Sequence, residues 1–187
     1  MSIRKRKMEA DYIDVSKSGS DPEWALCGTG FTSLTETPSA QTGSKRYINS
    51  SSARQSVTGY EWSAPFEADQ IKEESALAFI LNIARLMLTG ADAETSLVQV
   101  DLDDPVTDES SQNTFKARKR IIAIAVSEMP DNDGELGVTG DFLGVSDPIE
   151  GTFNTQTKTF TAVSRSATNG NGQNSECGIC AKHVRCP

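Results

Sequence analysis

Histidine is almost absent from this 187-residue chain, which holds only His183, close to its C-terminus. Serine and cysteine hydrolases of the common type need a histidine as general base, so both classes are nearly excluded. Long hydrophobic runs are also lacking. The nearest, residues 76–88, is interrupted by Asn82 and Arg85 and is shorter than the ~20 residues of a membrane-spanning helix. No glycine loop of the phosphate-binding kind is present. The sequence therefore predicts a protein that is not an enzyme, binds no cofactor and does not insert into membranes.

The charge is acidic and unevenly distributed, with a net value of −8. Residues 101–109 hold five acidic side chains, and residues 131–150 hold six and no basic one. Such a surface repels the phosphates of nucleic acids. Four consecutive basic residues occupy positions 4–7, and no apolar segment follows them as it would in a signal peptide. We therefore expect a protein made in a cytoplasm, with residues 1–10 forming a basic arm.

One long segment, residues 69–89, has apolar side chains at helical spacing, and it predicts an α-helix. Its apolar residues fall on two adjacent lines: Leu77, Ile80, Ala84 and Leu88, and Ala76, Phe79, Ile83 and Met87. Asp69 is the expected N-cap and Gly90 the expected left-handed stop. An apolar arc this wide indicates burial on more than one side, which hints at assembly with other chains.

Strand patterns of period two surround this helix, at residues 57–66, 96–102 and 114–129. A turn signal at residues 131–134 precedes a hairpin partner, and two threonine-rich strands follow within residues 149–163. We expect eight or nine strands in an antiparallel β-sandwich or open barrel with one flanking helix, spanning residues 11–163. Residues 35–56 are polar and predict a long loop of the kind that is often functional.

The composition changes at residue 164, and residues 164–187 predict a flexible extension that ends in a cysteine cluster. Thiolate and imidazole ligands suit tetrahedral zinc, but structural zinc sites place their ligand pairs on separate elements. All four candidate ligands here lie within ten residues, so metal binding is the weaker alternative to an unstructured tail. The candidates are Cys177, Cys180, His183 and Cys186.

Several stretches, in this order and combination, resemble the tail tube (major tail) proteins of tailed bacteriophages. They are YIDV (12–15), GTGFTSLTETPSAQT (28–42), KRYIN (45–49), TGYEWSAPFEADQI (58–71), GADAETSLVQVDLDDPV (90–106) and GELGVTGDFLGVSDPIEGTFNTQTKTFT (134–161). They cover most of residues 8–161, and none is a catalytic signature.

The resemblance implies a β-sandwich that forms hexameric rings, which stack into a hollow tube for genome delivery. The loop at residues 35–56 and the N-terminal arm would then contact the next ring, and the helix would lie between its own sandwich and the neighbouring subunit. The candidate interface residues are Phe79, Ile83, Met87, Tyr47 and Ile48. An acidic channel would let DNA slide without binding, and the candidate residues facing it are Asp131, Asp133, Glu135 and Asp141.

The same resemblance implies a tape measure protein, a tail terminator and baseplate or distal tail proteins as partners. The location would be the virion tail, assembled in the host cytoplasm. Two alternatives remain open: the inner tube of a contractile phage-like bacteriocin or injection device, and a monomeric β-sandwich module that binds a ligand or carbohydrate.

Overall fold

The computed structural model describes residues 3–16, 20–106 and 113–163. These ranges contain twelve β-strands, one α-helix and two short 3₁₀ helices at Arg6–Met8 and Gly90–Ala93. The first six strands are β1 (Glu9–Asp14), β2 (Trp24–Leu26), β3 (Phe31–Leu34), β4 (Ala40–Lys45), β5 (Arg54–Tyr60) and β6 (Ser63–Asp69). Helix α1 (Ser75–Leu86) comes next. The later strands are β7 (Glu94–Pro105), β8 (Thr114–Glu128), β9 (Asp131–Asn132), β10 (Glu135–Gly144), β11 (Ile149–Asn154) and β12 (Thr159–Ala162).

Ten strands form one antiparallel sheet whose main path runs β2-β1-β7-β8-β10-β6-β3. Strand β11 joins β8, and β12 joins β11, while β4 and β5 form a separate two-stranded sheet. The path is open, so the described strands form no closed barrel. The predicted class, mainly β and antiparallel with one α-helix, is confirmed. The strands exceed the eight or nine expected, because two predicted strands divide into two and because β4 and β9 lie where a loop and a turn were predicted.

The sheet divides at β8. Residues 114–119 of this strand pair with β11, whereas residues 122–128 pair with β10, and β7 runs along the other side of both halves. The division coincides with a change in composition on one side of the strand. Lys116, Arg118 and Arg120 give way to Ile122 and Ile124. Because alternate residues of a strand face the same side, one half of that face is polar and the other half apolar.

The larger core lies between the apolar half of the sheet and α1. Phe66 of β6 and Phe142 of β10 stack with their ring centroids 4.6 Å apart, and both are fully buried. Strands β1 and β7 contribute Ile13 and Leu97, and the helix contributes Leu77, which is completely buried. Burial of each such side chain stabilises the fold by about 1.5–3 kcal/mol.

A second core lies on the opposite face of the same strands. Phe153 of β11 packs 4.8 Å from the ring of Tyr12 and meets Trp24 edge-on at 6.0 Å. Val98 and Val100 of β7 complete the buried cluster. The alternation of Tyr12 with Ile13, and of Val98 with Leu97, thus sends neighbouring residues into different cores.

The helix is shorter than its sequence pattern predicts, and both expected end signals are wrong. Asp69 is the last residue of β6, and the N-cap is Glu74, whose side chain makes no capping hydrogen bond. At the other end, Met87 takes the left-handed conformation expected of Gly90. Met87 N–H donates to Ala84 O at 3.2 Å, which closes the last turn. Gly90 has φ +61° but begins the following 3₁₀ helix.

The segment predicted as a loop at residues 35–56 is mostly a hairpin. Strands β4 and β5 pair from Ala40↔Tyr60 to Lys45↔Arg54, and neither pairs with another described strand. The single strand expected at residues 57–66 is divided at Glu61 and Trp62 between this hairpin and β6. The threonines and other β-branched residues of the hairpin favour strands, but the polar composition of the segment predicted a loop instead.

Gly140 lies at an irregularity in the pairing of β10 with β8, where the register shifts between Thr139 and Gly140. A Cβ atom at this position would lie 2.3 Å from Ala125 O and 2.9 Å from Val126 Cα. Since both are backbone atoms held by the sheet, no side chain fits at this position.

Candidate functional site

The hairpin of β4 and β5, residues 40–60, is the most exposed part of the described structure, and we call it the arm hairpin. Every residue of β5 is exposed, and within β4 only Gly43 is partly covered. An isolated two-stranded hairpin is marginally stable in water, because neither face is buried against another layer. The arm hairpin therefore presents backbone edges and side chains that are suited to contact another molecule.

The arm hairpin differs from the rest of the chain in charge. Its basic residues are Lys45, Arg46 and Arg54, and it contains no acidic residue, although the whole chain has a net charge of −8. Its tip presents Tyr47 and the fully exposed Ile48. The tip turn is fixed by Ser50 N–H donating to Tyr47 O at 3.1 Å and Arg46 Nε donating to Ser50 O at 3.3 Å. A basic and apolar tip is thus held on a defined turn.

A groove of about 910 Å³ lies between α1 and the start of β7, and we call it the helix groove. Phe79 and Leu88 lie along it and are partly buried against the larger core. The described residues that line the groove include no lysine or arginine, and four are acidic: Asp14, Glu23, Asp92 and Glu94. The helix groove is thus apolar at its base and acidic at its edge.

A third surface is the face of β6, β10 and β8 that points away from α1. Asp141 of β10 lies there between Ala125 and Pro65 of the neighbouring strands. Glu67 and Asp69 of β6 are exposed on the same face. Leu143 is exposed on this face as well, and the carboxylates make the face acidic.

The residues predicted to face a channel fall in two places. Asp141 lies on the acidic sheet face and is partly buried. Asp131, Asp133 and Glu135 lie at the β9–β10 turn, where Asp131 Oδ1 accepts a hydrogen bond from Gly134 N–H at 2.8 Å. Asp133 has φ +54° in this turn. The structure therefore does not bring the four carboxylates together.

The predicted interface residues also differ in accessibility. Tyr47 and Ile48 are exposed at the tip of the arm hairpin, and Met87 is 83% exposed at the end of α1. Phe79 is partly buried beside the helix groove. Ile83 is only 4% exposed and packs in the chain's own core, and its contact with a neighbouring subunit stays a prediction. The apolar residues of α1 are thus covered by the core of their own chain more completely than the sequence predicted.

A charged network that the sequence did not indicate lies on the polar half of the β1–β7–β8 face. Asp11 is 2% exposed and pairs with Arg6, whose Nη2 donates to Asp11 Oδ2 at 2.5 Å. Burial raises the pKa of Asp11, although the charge of Arg6 opposes this shift. Arg4 pairs with Asp101 and lies 3.2 Å from Asp103. The basic N-terminal segment is thus bound to acids of its own chain through Arg4 and Arg6.

The network continues to Glu36, which precedes the arm hairpin. Its Oε1 accepts a hydrogen bond from Trp62 Nε1 at 2.7 Å and lies 3.5 Å from Arg120 Nη2. The Arg120 guanidinium lies 3.9 Å above the Trp62 ring, and burial lowers the pKa of Arg120. Four buried atoms of the face have no hydrogen-bond partner among the described residues: Asp11 Oδ1, Gln99 Oε1, Arg118 Nε and Arg120 Nε. The network fixes the base of the arm hairpin to β8.

The sequence contains the charged and polar residues of this network, but they can be recognised as neighbours only when the register of the strands is known. Gln99 of β7 lies between Asp11 of β1 and Arg118 of β8, and Asp101 lies between Glu9 and Lys116.

The candidate zinc ligands Cys177, Cys180, His183 and Cys186 lie outside the described residues. None of the helices in the described ranges is long and apolar enough to cross a membrane.

No family model matches the chain, and no curated protein matches its sequence. Among solved structures, the chain is similar to a chain from the cryo-electron microscopy structure of the anti-feeding prophage (AFP) baseplate, symmetrised six-fold. The identity is 9% and the TM-score 0.44, over 80% of this chain and 97% of the other.

Proposed function

We propose that the protein is a structural subunit of a phage tail tube, in which hexameric rings stack into a channel for genome delivery. The observation that carries the proposal is the arm hairpin, which is exposed except at Gly43 and is basic on an otherwise acidic chain. An element of this kind is stabilised when another subunit covers it. The ordered sequence stretches that resemble tail tube proteins support the same function.

The sheet edges suit assembly as well. Strand β3 pairs only with β6, and β2 only with β1, among the described strands. Such edges invite pairing with other chains, and closure across subunits removes them. In the proposed ring, edge strands of adjacent copies extend one sheet into the next.

The cargo in this proposal is DNA that passes without binding. The acidic sheet face suits the wall of such a channel, because Glu67, Asp69 and Asp141 repel phosphates. The other expected components are a tape measure protein, a tail terminator and baseplate or distal tail proteins. The protein has no catalytic role in this proposal, and its location is the virion.

Negative-stain microscopy of the purified protein, combined with light scattering over a concentration series, tests the proposal. We expect hexameric rings or hollow tubes at high concentration. A uniform monomer at every concentration would contradict the proposal and favour a ligand-binding module. The carboxylates of the sheet face are checked separately in a reconstruction of the tube, where their position on the outer wall would remove the channel assignment.

A further inference from the structure

We propose that the tip of the arm hairpin docks into the helix groove of a second copy of this chain. The inference rests on the proposed self-assembly and names the two surfaces that meet. No described residue covers either surface: Ile48 at the tip is fully exposed, and the groove is open beside α1 within the described ranges.

Charge selects the second copy as the occupant. The tip carries Lys45, Arg46 and Arg54 without any acid, and the helix groove has Asp14, Asp92 and Glu94 at its edge. Opposite potentials on two surfaces of one chain favour contact between copies and disfavour contact between like surfaces.

The shape and polarity of the helix groove also fit the tip of the arm hairpin. The groove provides about 910 Å³ and the partly buried rings and chains of Phe79 and Leu88, which suit the exposed Tyr47 and Ile48. Anchors of this kind, surrounded by charged groups, are typical of protein interfaces. The acidic sheet face also carries charge opposite to that of the tip, and it therefore provides the control surface for the experiment.

The contact is head-to-tail, because the tip and the groove are different surfaces of the same chain. Contacts of this type repeat from copy to copy until a ring closes or a filament grows. One type of tip-to-groove contact therefore allows assembly beyond a dimer.

Disulfide trapping in the full-length chain tests the docking. Cys177, Cys180 and Cys186 are changed to Ser to remove the C-terminal thiols. Cys27 is kept, because burial raises its pKa well above the usual value and makes it unreactive. One preparation carries Asn49→Cys at the tip, and a second carries Asn82→Cys, an exposed residue of the groove.

Mixing the two preparations under mild oxidation should give a cross-linked dimer that contains one copy of each. The matched control replaces Asn82→Cys with Glu67→Cys on the acidic sheet face, and we expect about tenfold less product. Circular dichroism confirms that each variant is folded. Equal or greater cross-linking to Glu67→Cys would overturn the groove as the docking site.

A charge exchange gives a second readout. The double change Asp92→Lys and Glu94→Lys should lower the cross-linking yield by about tenfold, and adding Lys45→Glu and Arg46→Glu to the tip preparation should restore it. Unchanged yield after the groove reversal would overturn the proposal. If rings or tubes form without this cross-link, the docking is excluded and the proposed tube function stands. If the cross-link forms without rings or tubes, the docking is supported and the tube function is contradicted.

Discussion

A substitution at Met87 separates the effect of one residue on the stability of the fold from its effect on assembly. It ends α1 at φ 50° and ψ 45°, in the left-handed region. A residue with a Cβ atom costs about 1–2 kcal/mol there, whereas glycine adopts the conformation freely but loses roughly 0.5–1 kcal/mol more entropy on folding. Little packing is lost, since Met87 is 83% exposed. Met87→Gly should therefore raise the free energy of unfolding by about 0.5–1 kcal/mol, which is roughly 1–4 °C in Tm.

The neighbouring residue supplies a matched control. Leu86 is also apolar and 63% exposed, but it lies in the last turn of the right-handed helix. Leu86→Gly should lower the free energy of unfolding by about 0.5–1 kcal/mol, because glycine is a poor helix former. Thermal and urea unfolding at low protein concentration measure both changes. Equal destabilisation by the two substitutions would refute the strain argument.

The same variant separates stability from assembly. If the Met87 side chain contacts a neighbouring copy, Met87→Gly gives a more stable chain that forms fewer rings in negative stain. A more stable chain that assembles as the wild type does would remove Met87 from the interface, while the account of its backbone conformation would stand.

Two further predictions follow from single positions. Gly140→Ala should destabilise the fold by about 2 kcal/mol or more, because its Cβ meets the β8 backbone, whereas Gly59→Ala, with nothing within 4 Å, should change stability by less than about 0.5 kcal/mol. Urea unfolding compares them, and similar values would contradict the close approach at β8. Burial raises the pKa of Asp11 above its ordinary 3.8, so the folded chain binds the proton more tightly and stability falls as pH rises from 3.8 to the folded pKa. Asp11→Asn should reduce this fall in an acidic pH series of urea midpoints, and an unchanged profile would show that Asp11 does not cause it.

The strands of the sheet were largely predictable because their alternation is local. The pattern of residues 114–129 corresponds closely to β8, and Phe153 and Phe160 face each other across the predicted β11–β12 hairpin. Partner choice is not local. Nothing in residues 114–129 alone indicates that β11 pairs with one half of β8 and β10 with the other.

The ends of the helix were not predictable, because packing decided them. Asp69 has the side chain of an N-cap, but its backbone is held in β6 opposite Gly137 of β10. Met87 ends the helix although glycine, three residues later, is the better left-handed residue. Residues 40–56 of the arm hairpin were missed for a different reason, whereas its last residues, 57–60, fell within a predicted strand. The Ser- and Thr-rich sequence of residues 40–56 has no apolar face to bury, so alternation gave no signal there.

The distribution of charge ties the arm hairpin to assembly. A chain of net charge −8 repels copies of itself at long range, so association needs a local element of opposite sign. Residues 40–60 hold three basic side chains and no acid, and their two strands pair only with each other among the described strands. Arg4 and Arg6, in contrast, pair with acids of their own chain. The three basic side chains of the arm hairpin form no salt bridge with a described acid of their own chain, which supports the docking proposed for its tip.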